Sequence, residues 1–106
     1  GKTTLARELA GWLGTAWVPE HSRTYAERKG TPLDAGDVLP IARGTLAAED
    51  LVRPSARGDV LVLDTDLAST IVYAAHYYGL HDPSLDAMWR ARPVALYLLC
   101  HPDVPW

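Results

Sequence analysis

Val60-Leu61-Val62-Leu63 is a continuous apolar run that ends in Asp64. A run without polar alternation has no face to offer water, so it fits a strand buried on both sides, as parallel strands are. Val94 to Cys100, introduced by Pro93, is a second run of this type. Stretches of helical period lie before and between them. Helices alternating with buried strands predict an α/β class with a parallel sheet.

The remaining elements follow from spacing and from chain breakers. Leu5, Leu9 and Leu13 recur every four residues with Ala6 and Ala10 beside them, which predicts a helix over 3–13 closed by Gly14. Ala16-Trp17-Val18 is a short strand stopped by Pro19. Ser22 is placed to cap a short helix through Lys29, with Gly30 ending it. Asp37 is placed to cap a long helix from Val38, with Pro40 tolerated in its first turn. That helix runs to about Arg53, because Pro54 cannot continue the hydrogen-bond ladder. Helices are also predicted over 67–78, closed by Gly79, and over 84–91.

Composition excludes several classes. The chain has 106 residues, the size of one domain or part of one, and a formal net charge of −3. That charge implies no general attraction to nucleic acid or to an anionic membrane. Hydrophobic residues make up 48%, which suits a packed core and not a disordered chain. No apolar run approaches the ~20 residues that span a bilayer. The single Cys100 cannot form an internal disulfide and sits in an apolar run, which predicts a buried, inert thiol in the reducing cytoplasm.

Three groups of residues could carry chemistry. Gly1-Lys2-Thr3 matches the last three positions of the phosphate loop G-x-x-x-x-G-K-[ST], and the required amphipathic helix follows. Backbone N–H groups at such a helix start surround phosphate oxygens. Asp64 ends an apolar strand, where a carboxylate can help hold Mg²⁺ beside that loop; it can equally be a helix cap. Asp66 sits where the cap of the next helix belongs, and a carboxylate there could also accept a proton from a substrate hydroxyl. In the nucleotide reading, Gly1, Lys2, Thr3 and Thr4 bind ATP, and Thr3 and Asp64 hold the metal. Glu20 and Arg23 are either a base candidate with an anion clamp or an ordinary i,i+3 ion pair. Tyr73 and Tyr77 share a helix face, suited to core packing or to stacking on a planar ring. His81 and His101 read as loop residues, and no Cys/His spacing suggests zinc.

"GKTTLARELA", "VPEHSRTYAERKG", "VLVLDTDLASTIVYAAHYYG" and "LYLLCHPDVPW" together resemble one family. It is the AAA-type P-loop ATPase family related to the ribosylnicotinamide kinase domain of the bifunctional NAD-biosynthesis regulator. The E-x-x-R, D-T-D and P-D-V-P-W runs are more discriminating than GKTT. The resemblance covers nearly the whole chain. It implies a P-loop NTPase-like three-layer sandwich and ATP with Mg²⁺ as ligands. It also implies transfer of phosphate to the ribose 5′-hydroxyl of nicotinamide riboside. Lys2, Asp64 and Asp66 would be catalytic, and Glu20, Arg23, Asp66 and Tyr73 would line the pocket of a nucleoside-like substrate.

Relatives have a strand and the first half of the loop before the position of Gly1, and a basic lid after that of Trp106. The resemblance therefore implies one partial kinase domain over 1–106, truncated at both ends. Without a middle strand, the runs at 60–63 and 94–100 must pair with each other or leave backbone groups unsatisfied. The 106 residues alone are expected to be marginally stable and catalytically weak. A fused domain elsewhere in the protein fits the resemblance. Two other readings stay open: a P-loop kinase for another nucleoside, and a regulatory NTP-binding module without turnover.

Overall fold

The computed structural model describes residues 1–100. Helix α1 spans Lys2–Leu13, strand β1 Trp17–Val18, α2 His21–Lys29, α3 Val38–Val52, β2 Val62–Leu63, α4 Leu67–Tyr78 and α5 Pro83–Arg90. Short 3₁₀ turns at Ala35–Asp37 and Arg53–Ser55 flank α3. Among the described residues, no helix is long and apolar enough to cross a membrane.

The two strands pair in parallel, with Trp17 opposite Val62 and Val18 opposite Leu63. The Asp64 N–H donates to the Val18 carbonyl at 3.0 Å and so fixes where β2 ends. Parallel pairing puts the carboxyl ends of both strands at one edge, where Glu20 and Asp64 emerge. Gly14 makes this possible. Its φ of 70° turns the chain back after α1, and the Thr15 N–H closes the turn on the Ala10 carbonyl at 2.9 Å.

The main core lies between helices and not around a sheet. Val38 and Ala42 of α3 meet Leu67 and Ala74 of α4 and Leu85 of α5, with Leu46, Ile71 and Met88 packed around them. The sheet is smaller than the alternation predicts, and this leaves α1 half covered. Ala6 and Ala10 are buried, whereas Leu5 and Leu13 are exposed and Trp12 is 82% exposed.

The segment 94–100 departs most from expectation. It forms no strand, and it does not pair with β2. Leu96 and Leu98 are exposed, and Leu99 is 98% exposed. A strand needs a neighbour's edge as well as an apolar sequence. Here Tyr97 fastens the segment elsewhere: its hydroxyl donates to Asp66 Oδ2 at 2.5 Å and accepts from Trp89 Nε1 at 3.0 Å. Cys100 is consequently exposed, not buried. Tyr73 and Tyr77 are likewise no part of the core: both are exposed, with ring centroids 4.2 Å apart. The predicted loop residue His81 does lie in an exposed loop. His101 and the P-D-V-P-W run lie outside the described residues.

Two local devices hold α2 against α3. The first is Gly44, where a Cβ would come within 2.5 and 2.6 Å of Cδ2 and Cε1 of His21 and closer still to Nε2. Only a bare backbone lets the imidazole lie on α3. Gly44→Ala must displace the imidazole, and that loss is offset by the roughly 1 kcal/mol that alanine gains over glycine in a helix interior, so the net change in stability should stay within about 1 kcal/mol. On a His21→Ala background the same change should be stabilising, because only the helix gain remains, as a double-mutant cycle read by urea unfolding tests.

The second device is Asp37, predicted as the cap of α3. It precedes that helix but makes no side-chain cap bond. Its carboxylate instead accepts from Lys29 Nζ at 2.5 Å, Tyr25 Oη at 2.7 Å and the Asp34 N–H at 2.8 Å. The Lys29 hydrogen bond, then those of Asp34 and Tyr25, hold its pKa down to about 2. A carboxyl depressed in the folded state stabilises fully above its unfolded pKa, and the contribution fades as pH falls through the folded value. The urea midpoint of the wild type should therefore fall between about pH 4 and pH 2. Asp37→Asn should lower the midpoint at neutral pH and flatten that acid limb.

Candidate functional site

The first turn of α1, the exit of β1 and the exit of β2 meet at one place. Lys2, Thr3 and Thr4 open α1 directly after Gly1, so their N–H groups have no intrahelical acceptors. Gly1 supplies no side-chain cap, and Thr4 is exposed. A helix start of this kind carries partial positive charge and suits an anion.

The Lys2 ammonium reaches across to both strand ends. It stands 3.2 Å from Asp64 Oδ1 and 3.5 Å from Glu20 Oε2, and it donates to the Thr65 hydroxyl. Thr3 Oγ1 donates to Asp64 Oδ2 at 2.7 Å. Asp64 is 1% exposed, yet its Oδ1 receives no hydrogen bond from any described residue. The nearby ammonium supplies charge there without hydrogen-bond alignment. A buried carboxylate oxygen in that condition is costly unless a ligand completes it.

Thr65 adds strain to the same point. Its φ of 85° places a β-branched residue in the left-handed region, worth on the order of 1–3 kcal/mol. This tight turn aims Asp64 toward Lys2 while freeing Asp66 to cap α4. Asp66 Oδ1 accepts from the Ala68 N–H at 3.1 Å, so the cap is real. Its other oxygen holds Tyr97. Burial, then the hydrogen bond to Asp66, pushes the Tyr97 phenol above its ordinary value and keeps it a donor.

Glu20 and Arg23 extend the cluster outward. Glu20 stands before α2 and accepts from the Ser22 hydroxyl at 3.0 Å, so Ser22 is not the cap of that helix. Arg23 Nη2 lies 3.9 Å from Glu20 Oε2, the geometry of an exposed i,i+3 pair, and its side chain is free to reach outward. Tyr73 is not brought in. It lies about two turns, or 10 Å, along α4 from Asp66, and its ring contacts are Tyr77 and Tyr78.

The oxygen set of Thr3 and Asp64 fits a hard divalent cation such as Mg²⁺. Among the described residues, no group of three or more His, Cys, Asp or Glu side chains could hold a metal alone. Phosphate and water oxygens would have to complete the shell, as is usual for Mg²⁺.

A family profile described as an AAA domain matches residues 1–106. The chain belongs to the AAA domain family. That membership covers every residue of the site and agrees with a P-loop at the start of α1. Comparison with curated proteins and with solved structures yields no match.

Thr65 also enters the AAA domain's site, its hydroxyl accepting from Lys2, and could have been noticed as a hydroxyl between two carboxylates. Glu49 lies outside that cluster, yet the sequence marks it as unusual. Val38, Ile41, Ala42, Thr45 and Glu49 are the buried face of α3, so a charged residue sits on the apolar stripe at helical spacing.

Proposed function

We propose that the chain binds Mg²⁺-ATP at Gly1–Thr4 and Asp64 and belongs to a kinase that phosphorylates a small alcohol. The acceptor we favour is the ribose 5′-hydroxyl of nicotinamide riboside, in keeping with the resemblance in the E-x-x-R and D-T-D runs. The observation that carries the reading is the convergence of Lys2, Thr3 and Asp64 at the strand ends.

In this reading Lys2 leaves its carboxylate partners to neutralise the β and γ phosphates. Thr3 Oγ1 and Asp64 would hold the metal ion, which would supply further charge neutralisation for the phosphoryl oxygens. Asp66 Oδ2, already an acceptor for a hydroxyl in Tyr97, takes the proton of the substrate hydroxyl. The substrate oxygen bonds to the γ-phosphorus, the bond to the bridging oxygen breaks, and ADP leaves with the electron pair. Glu20 and Arg23 stand at the rim to meet the acceptor. An ATP-dependent salvage step of this kind belongs in the cytoplasm.

Phosphoryl transfer to nicotinamide riboside and to common nucleosides, measured in the full-length protein, tests this. Asp66→Asn should abolish turnover with ATP binding intact. Unchanged behaviour of that variant would favour the regulatory NTP-binding module.

A further inference from the structure

Glu49 has no ordinary reason to be where it is. It lies in the last turns of α3, is 5% exposed, and has no hydrogen bond or ion pair with any described residue. Arg92, the nearest cation, is engaged by its neighbour Asp50 at 2.9 and 3.1 Å and by the Leu46 carbonyl. Burial pushes the Glu49 carboxyl above its ordinary value, against the pull of Arg92. Asp66, Arg53 and Asp50 are the other charges that face it. Among the described residues only Asp64 Oδ1 is a fully enclosed side-chain oxygen without a donor, so the Glu49 oxygens keep some accessible surface. What they lack is a protein donor, which makes the position less favourable than an apolar residue would be.

The carboxylate faces a cavity of about 10 Å³ that it shares with Asp66, Leu67, Trp89 and Arg92. That is room for a single water-sized group. Beside it, sharing Trp89 and Val94, is an open hollow of about 230 Å³ walled by Pro93 and Tyr97. Two acceptors therefore look into a space for one donor, next to an aromatic-walled space for the body of a small molecule. The Arg92 guanidinium on the same wall disfavours a metal ion there. A neutral hydroxyl donates to one carboxylate and, through its oxygen lone pairs, accepts from the other carboxyl in its protonated form, without adding charge.

We propose that Glu49 and Asp66 together form a receptor for one hydroxyl of an alcohol ligand whose body lies in the hollow between Trp89 and Tyr97. This rests on the reading of Asp66 as the acceptor-binding carboxylate and adds Glu49 as a substrate-binding residue.

Glu49→Met and Glu49→Gln test it, with D-ribose and nicotinamide riboside as probes in calorimetric titration of the full-length protein. Glu49→Met should raise Tm by a few degrees, because it removes an unpartnered buried carboxyl. The same change should weaken probe binding at least about tenfold. Glu49→Gln, which keeps an acceptor oxygen, should stay within about threefold of wild type. A lower Tm for Glu49→Met, probe affinity unchanged by it, or no binding of either probe to wild type overturns the inference. ATP binding, which does not involve Glu49, is followed in parallel. A protein that binds ATP but is indifferent to Glu49→Met sinks this inference alone. One that binds a probe through Glu49 but no ATP sinks the kinase reading alone.

Discussion

Lys2→Ala is expected to cut phosphoryl-transfer turnover on the order of 10²- to 10³-fold and to weaken ATP binding with it. Lys2 is the only cation the described residues place within 4 Å of Asp64, and it also serves Glu20 and Thr65. Alanine leaves those two carboxylates to repel the incoming phosphates with nothing between. Lys2→Arg should not rescue the loss, because a planar guanidinium cannot replace a point charge held among three oxygens. The Lys2 side chain is 45% exposed, so solvent screens the pair and the expected stability change is only about 1 kcal/mol. Turnover and ATP affinity are measured beside urea unfolding. Near-normal turnover in folded Lys2→Ala protein would contradict the assignment.

Asp64→Asn should separate metal from fold. Asparagine keeps the shape and an oxygen for the Thr3 hydroxyl, now donating at 2.7 Å. It loses the charge that would hold Mg²⁺. The enhancement of ATP binding by Mg²⁺ should vanish, and turnover should fall on the order of 100-fold. Thermal stability should hold or rise, because a buried carboxylate with one oxygen lacking a hydrogen-bond donor is removed. Retained stability with lost magnesium dependence marks a ligand. A large fall in Tm with magnesium dependence intact would mark a structural residue instead.

The parts of the fold that the sequence made legible are local ones. Leu5, Ala6, Leu9 and Ala10 write a helix within a dozen residues, and Gly14 and Gly79 end helices by their own conformational freedom. Asp66 caps α4 from the position its neighbours dictate. The meeting of Lys2 with Asp64 was legible from the phosphate-loop ending at the start of α1 and the carboxylate at the end of an apolar strand.

What failed depended on distant partners. Val94 to Cys100 has the composition of a buried strand, but pairing is a property of two segments, and Tyr97 finds Asp66 and Trp89 instead. Cys100 was misjudged for the same reason. Tyr73 and Tyr77 have the spacing of a core face, and only the packing of α3 and α5 on the other side of α4 leaves them exposed. Glu49 was overlooked because a charged residue is ordinarily solvated, and its burial depends on Trp89 and Arg92, forty or more positions away.

The most direct test of the site is paramagnetic. Mn²⁺ takes the place of Mg²⁺ in the ATP complex, and amide resonances of the labelled protein are followed as it is added. Broadening should be strongest at residues 1–5 and 63–66 and should fall off along α1 toward Leu13 and along α4 toward Tyr78, each more than 15 Å from its helix start at about 1.5 Å per residue. Broadening centred elsewhere, or none that depends on ATP, would contradict the claim that Lys2 and Asp64 share one nucleotide.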